Sequence, residues 1–184
     1  MSIQYVTIFG GSRPRPGESA YREAQRLGSL LGEAGYTVLT GGYIGTMEAV
    51  SRGAAEAGGN VIGVTCEEIE AWRPGRANPW VTEEMRFQTL RERLFALIDT
   101  ANAAIALPGG PGTLAEISLM WNQMITRSLP PRPLILVGSG WKATFEGFFT
   151  HLGKYIPVPQ QELLEFSPDV EDAFQHLVHP KPKE

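Results

Sequence analysis

Five short, almost wholly apolar runs, at residues 5–9, 37–40, 61–64, 103–107 and 134–137, alternate with longer stretches of helical periodicity. A strand that is apolar on both faces has to be covered on both sides, so these runs read as parallel strands of a buried sheet. The helical stretches fall at 18–34, 45–58, 84–100, 113–127 and 141–153. A last one, at 169–178, follows Ser167-Pro168 and carries Asp169, Glu171 and Asp172 at its positive end. Alternation of this kind implies an α/β chain with a doubly wound parallel sheet in three layers, α/β/α. The length suits one domain over 1–184, with 179–184 as a frayed tail. Two stretches fit neither pattern, 13–17 and 66–82. The second is long for a connection and carries Trp72 and Trp80, which suggests a lid or an oligomer contact.

Composition narrows the function classes. No apolar run approaches the roughly 20 residues of a membrane-spanning helix. The chain opens directly on a strand-like run with no signal-peptide pattern, so the expected address is the cytoplasm and no membrane partner is expected. A formal net charge of −4 excludes broad electrostatic binding to nucleic acid. The cations are nonetheless twelve Arg against four Lys. Arg grips phosphate through a planar fork, so a local anion site fits this balance as well as plain surface Arg does. One cysteine, Cys66, leaves no internal disulfide and no Cys-rich metal site. His176 and His179 could share a helical face, but a solvated face accounts for them better than a metal site.

Three of the first four strands run into glycine: Phe9-Gly10-Gly11-Ser12, then Thr40-Gly41-Gly42-Tyr43-Ile44-Gly45-Thr46, and Leu107-Pro108-Gly109-Gly110-Pro111-Gly112-Thr113. Each precedes a helix. Glycine lets a ligand approach the backbone, and a helix N-terminus offers unpaired N–H groups and partial positive charge to a phosphate. One such loop is weak, since strand-to-helix turns use glycine routinely. Several at the carboxyl edge of one sheet are stronger, because that edge is where open α/β sheets bind ligands. In the Rossmann-like order 3-2-1-4-5, the loops at 10–12 and 109–113 would face each other across the central crevice. There is no Gly-x-Gly-x-x-Gly after the first strand and no Gly-Lys-Ser/Thr, which argues against a dinucleotide cofactor and a P-loop NTPase.

Residues 108–116 read Pro-Gly-Gly-Pro-Gly-Thr-Leu-Ala-Glu, a complete match to the PGGxGTxxE motif of the LOG (Lonely Guy) family. The resemblance extends over about 1–155. It takes in the first turn, the segment 41–50, the segment 58–64 and the Arg-bearing stretch before the fourth strand. It implies a nucleoside 5′-monophosphate phosphoribohydrolase of the cytokinin-activating type, working as a homodimer or higher homo-oligomer without metal or organic cofactor. Family spacing places the catalytic pair at Arg93 and Glu116. The residues it implies for substrate and phosphate are Gly11, Ser12, Gly42, Gly45, Thr46, Arg86, Pro108, Gly109, Gly110, Gly112 and Thr113. The family's usual glycines are replaced by Tyr43 and Glu48, and its Met-x-x-Arg-Lys signature has Leu90 and Leu94 at the outer positions. The family's other label, lysine decarboxylase, fits the chemistry poorly. A pyridoxal enzyme needs a Schiff-base lysine, and Lys142, Lys154, Lys181 and Lys183 all lie away from the glycine loops.

Each of these residues also has a plainer reading. Thr113-x-x-Glu116 is a capping-box pattern, in which Glu116 would only tie down its own helix. Arg86, Arg91 and Arg93 could snorkel from a core helix, pairing with Glu83 or Glu92. Leu114, Ile117, Met120, Trp121, Met124 and Ile125 carry more apolar surface than one sheet face needs, as either core or dimer interface. Ser12, Arg13 and Arg15 could touch phosphate or form an exposed turn. Finally, the resemblance admits a non-enzymatic alternative, a nucleotide or molybdenum-cofactor carrier of the same fold.

Overall fold

The computed structural model describes residues 4–179, so the tail expected to fray lies, beyond His179, outside the described residues. The described residues form seven strands: β1 (Tyr5–Phe9), β2 (Thr37–Thr40), β3 (Val61–Cys66), β4 (Glu83–Phe87), β5 (Ala103–Ala106), β6 (Leu134–Val137) and β7 (Glu165–Ser167). The helices are α1 (Ser19–Glu33), α2 (Thr46–Glu56), α3 (Glu67–Trp72), α4 (Leu90–Asp99), α5 (Pro111–Ile125), α6 (Ser139–Leu152), α7 (Val158–Gln161) and α8 (Val170–Val178). All strand pairings are parallel, in the order β4-β3-β2-β1-β5-β6-β7.

Both faces of the sheet are buried, with the side-chain period of two that strands impose. Val6, Ile8, Val38, Val61, Ile105 and Val137 point to one face, against α1, α2 and α8. Phe9, Leu39, Ile62, Ala104, Leu134 and Leu136 point to the other, against α4, α5 and α6. This is the three-layer Rossmann-like arrangement the alternating runs predict, and the central order 3-2-1-4-5 is recovered with one further strand at each edge.

Two local expectations are corrected. The helix expected over 84–100 starts later than its periodicity predicts, because residues 84–87 belong to the edge strand β4 (Glu83–Phe87). Glu-Glu-Met-Arg-Phe alternates in polarity, with Met85 and Phe87 half-buried and Glu83, Glu84 and Arg86 exposed. The helix begins only at Leu90, behind a complete capping box: Thr89 Oγ1 accepts from the Glu92 N–H at 3.2 Å, and the Glu92 carboxylate accepts from the Thr89 N–H at 3.0 Å. Within the supposed irregular stretch 66–82 lies the short helix α3. On α5, Ile117, Met120, Trp121 and Met124 are buried in this chain's own core, and only Leu114 of the large apolar residues named there is clearly exposed.

Candidate active site

The register Phe9↔Ala106 between β1 and β5 brings the two following loops out side by side at the point where strand order reverses. A side chain at Gly11 would reach Gly109 Cα and Pro108 O at 3.4 Å, so the loops are in near contact. Between them and the ends of β2 and β3 opens a cavity of about 620 Å³. Its lining includes, of the residues named from sequence, Gly11, Ser12, Arg93, Pro108, Gly109, Gly110, Gly112, Thr113 and Glu116.

The α5 end of the cavity presents backbone donors at a helix start. Gly110 is the N-cap and contributes no side chain, Pro111 at the first helical position has no N–H to satisfy, and the first in-helix bond there is Leu114 N–H to Gly110 O at 3.0 Å. Helix geometry therefore leaves the Gly112 and Thr113 N–H groups without an intrahelical acceptor. Thr113 is buried with its hydroxyl packed against Gly109, and it makes no capping bond. The capping-box reading of Glu116 is therefore not what forms; that pattern is realised instead at Thr89.

Glu116 sits one turn into α5 and leans back towards the loop. One side of it opens onto the cavity, so the residue is half-buried, but protein surrounds the rest. Burial pushes its carboxyl up to about 7, against an opposing pull from the Arg93 guanidinium.

Arg93, 5% exposed, is fixed from several sides. Its Nε donates to Val64 O at 2.7 Å and its Nη2 to Gly41 O at 3.2 Å, and its guanidinium lies 5.7 Å from the centroid of the Tyr43 ring. Gly41 has to be glycine here, since a Cβ would collide with Nη2. The bonds to Val64 O and Gly41 O hold the guanidinium of a residue that lines the cavity.

Tyr43, a departure from the family glycine, is buried on the cavity wall. Its hydroxyl accepts from the Cys66 N–H at 2.9 Å and donates to Cys66 O at 3.1 Å, pinning the end of β3. Burial raises the phenol's pKa, so it stays neutral. Asn78 secures the same turn from the opposite side: its side-chain amide donates to Gly42 O at 3.1 Å and Tyr43 O at 3.0 Å.

Four residues named from sequence stand outside the cavity lining. Gly42 and Gly45 hold the second loop in positive φ (77° and 78°). Thr46 lies beneath, where its N–H and hydroxyl both donate to Gly11 O, at 2.9 and 3.0 Å. These three shape the loops from below. Arg86 is on β4, paired with Glu70 at 2.7 Å and Glu67 at 3.7 Å. Conversely, Tyr43, Met47, Ile69, Trp72 and Arg73 line the cavity without having been named as site residues, and Arg13 lines it beside Ser12. The signals that could have found them are the tyrosine in place of a glycine and the two tryptophans in a long connection.

Residues 47–177 match the family described as "Possible lysine decarboxylase". The chain is 30% identical over 135 residues to a cytokinin riboside 5′-monophosphate phosphoribohydrolase of Rhodococcoides fascians, covering 72% of this chain and 66% of that protein. It is 30% identical over 150 residues to a pyrimidine/purine nucleotide 5′-monophosphate nucleosidase of Escherichia coli, covering 78% of this chain and 32% of that one, so it spans only about a third of the longer protein. Among solved structures, the molybdenum cofactor carrier protein of Chlamydomonas reinhardtii superposes with a TM-score of 0.71 at 25% identity, over 96% of this chain and 97% of that one. With well over half of its length inside the matched region and the complete motif at 108–116, the chain belongs to the LOG, or possible lysine decarboxylase, family.

Proposed function

We propose that the protein hydrolyses the N-glycosidic bond of a nucleoside 5′-monophosphate, giving a free base and ribose 5-phosphate. The observation that carries this reading is convergence: Arg93 and Glu116 line the same cavity as the helix-terminus loop at 109–113. The free N–H groups of Gly112 and Thr113 would hold the 5′-phosphate. The ribose then lies over Arg93 and Glu116. As the C1′–N bond breaks, its electron pair leaves with the base, which takes up a proton from solvent, and positive charge builds at C1′ and the ring oxygen. The Glu116 carboxylate stabilises that charge and accepts a proton from the water that forms the new C1′–O bond. A carboxyl with a pKa near 7 suits a base working at neutral pH. The Arg93 guanidinium, which lines the same cavity, would help hold the sugar or the attacking water in place. A pyridoxal-type decarboxylase has less support: among the described residues no lysine lines the cavity, and Lys142 instead pairs with Glu146 on α6.

The test is incubation of the pure protein with a panel of nucleoside 5′-monophosphates, following free base by chromatography. Base and ribose 5-phosphate in equal amounts are expected. A second reading, a carrier without turnover, is favoured by the nearly full-length likeness to the Chlamydomonas carrier protein. Tight nucleotide binding with no base released from any member of the panel would replace the hydrolase with that carrier.

A further inference from the structure

The cavity has two chemically different ends. Its lining comes, in the spatial order of the strands, from the segment after β3, then the loops after β2, β1 and β5. Neighbouring strands lie roughly 4.8 Å apart, so the two extremes are separated by three spacings, about 14 Å. The β5 end is glycine backbone and a helix N-terminus. The β3 end is Ile69, Trp72 and Arg73, with Tyr43 and Met47 beside them. An anion placed at the first end, and a ribose over Arg93 and Glu116, leave the remaining length of the cavity to end among apolar and aromatic side chains.

Trp72 is the odd residue there. It is 79% exposed although it lines a cavity, at the last position of α3. A side chain of this size is seldom left so open, and its polar N–H does not account for the flat apolar face. The Arg73 guanidinium lies 5.7 Å from the indole centroid, within cation–π range, and has no ion-pair partner among the described residues. An open indole with a cation beside it is what a planar, electron-rich heterocycle stacks against.

We infer that Trp72, assisted by Arg73, is the stacking platform for the base of the bound nucleotide, so that α3 sets base preference while the loop at 109–113 sets phosphate preference. This rests on the nucleotide reading above and assigns the far end of the same site. Stacking of this kind is tolerant of base identity, because every base has a π-face. Purines, with the larger face, should bind more tightly than pyrimidines.

The two ends can be separated with two probes. Ribose 5-phosphate occupies the phosphate end alone. A carbon-linked analogue of AMP, whose base cannot be hydrolysed off, occupies both. Calorimetric titration of the wild type should show the analogue binding more tightly than ribose 5-phosphate. Trp72→Ala should weaken the analogue about 10- to 100-fold, from the magnitude of base–aromatic stacking. It should leave ribose 5-phosphate within about twofold. Trp72→Phe, which keeps an aromatic face, should lie near the wild type. Because Trp72 is exposed, melting temperatures should be unchanged. An unchanged analogue affinity in Trp72→Ala, or a parallel loss for both probes, would overturn the platform. A wild type that binds ribose 5-phosphate as tightly as the analogue would overturn it too while sparing the phosphate site. If neither probe binds, the nucleotide reading itself fails and takes the platform with it.

Discussion

A carboxyl with a pKa near 7 is about half ionised in neutral solution, so Glu116 changes protonation state around neutral pH. If its carboxylate acts as the proposed base, kcat should rise tenfold per pH unit below about 7 and level off above it. A bound phosphate adds negative charge nearby and moves the midpoint upward. Glu116→Gln should lower kcat on the order of a hundredfold or more, as loss of a preorganised electrostatic group does, with KM changed only a few-fold, and should erase that pH limb. A kcat that is flat or falling between pH 5.5 and 8, or a variant with more than half of wild-type turnover, would remove Glu116 from the chemistry. Arg93 and Glu116, the pair implied by the family resemblance, line one cavity. Tyr43 and Asn78 were not legible in the sequence, because they act by long-range contact: a hydroxyl bonded to the backbone of Cys66 and an amide bonded to two loop carbonyls. Nothing within a few residues of either announces such a partner.

At the level of elements, the same four-residue pattern, Thr-x-x-Glu, occurs at Thr89 and at Thr113, and only the first forms a capping box. The difference lies in what precedes each. Thr89 follows an edge strand and takes extended backbone, with φ −110° and ψ 153°, as an N-cap must. Thr113 follows Gly110-Pro111, and proline at the first helical position starts the helix two residues early, which puts the threonine inside it. Glu116 is thereby released from a capping duty. The edge strands β4 and β7 escaped a reading based on apolar runs because edges are short and polar by necessity. The α5 terminus makes a direct prediction. A Cβ added at Gly110 meets nothing within 4 Å, and the backbone there, φ −102° and ψ −154°, is extended. Gly110→Ala should therefore fold normally, yet place a methyl where the phosphate approaches. Losing one charge-assisted hydrogen bond costs ~1.5–3 kcal/mol, so nucleotide affinity should drop about tenfold or more by calorimetry, with the melting temperature little changed. Undiminished affinity would mean that the anion sits elsewhere.

For the molecule as a whole, the two-sided apolar character of the inner strands pointed to a covered parallel sheet, and their order is the usual one for a Rossmann-like sheet. That order places the cavity where strand order reverses, with both faces of the sheet covered by helices. Covering is also what desolvates Glu116, so the site draws on folding free energy, and the cost depends on pH. The folded-state pKa, about 7, lies above the ordinary 4.5 of the unfolded chain. Between these values the folded state holds a proton that the unfolded state has released. The benefit of folding around a neutral carboxyl is complete below about pH 4.5 and is lost as pH rises towards 7. Other carboxylates titrate over part of this range, so the wild-type curve alone does not isolate the effect. The difference between Glu116→Gln and wild type does, since glutamine is neutral throughout. The variant's melting temperature should lie close to the wild type at pH 5. It should exceed it by a few degrees at pH 8, given water in the cavity to screen the charge and roughly 2–4 °C per kcal/mol for a chain of this size. A phosphate anion in the cavity should widen the gap, because it opposes ionisation of the carboxyl further. A gap that is the same at pH 5 and pH 8 would mean that the carboxyl is solvated like any other, and the poised base with its pH limb in kcat would go with it.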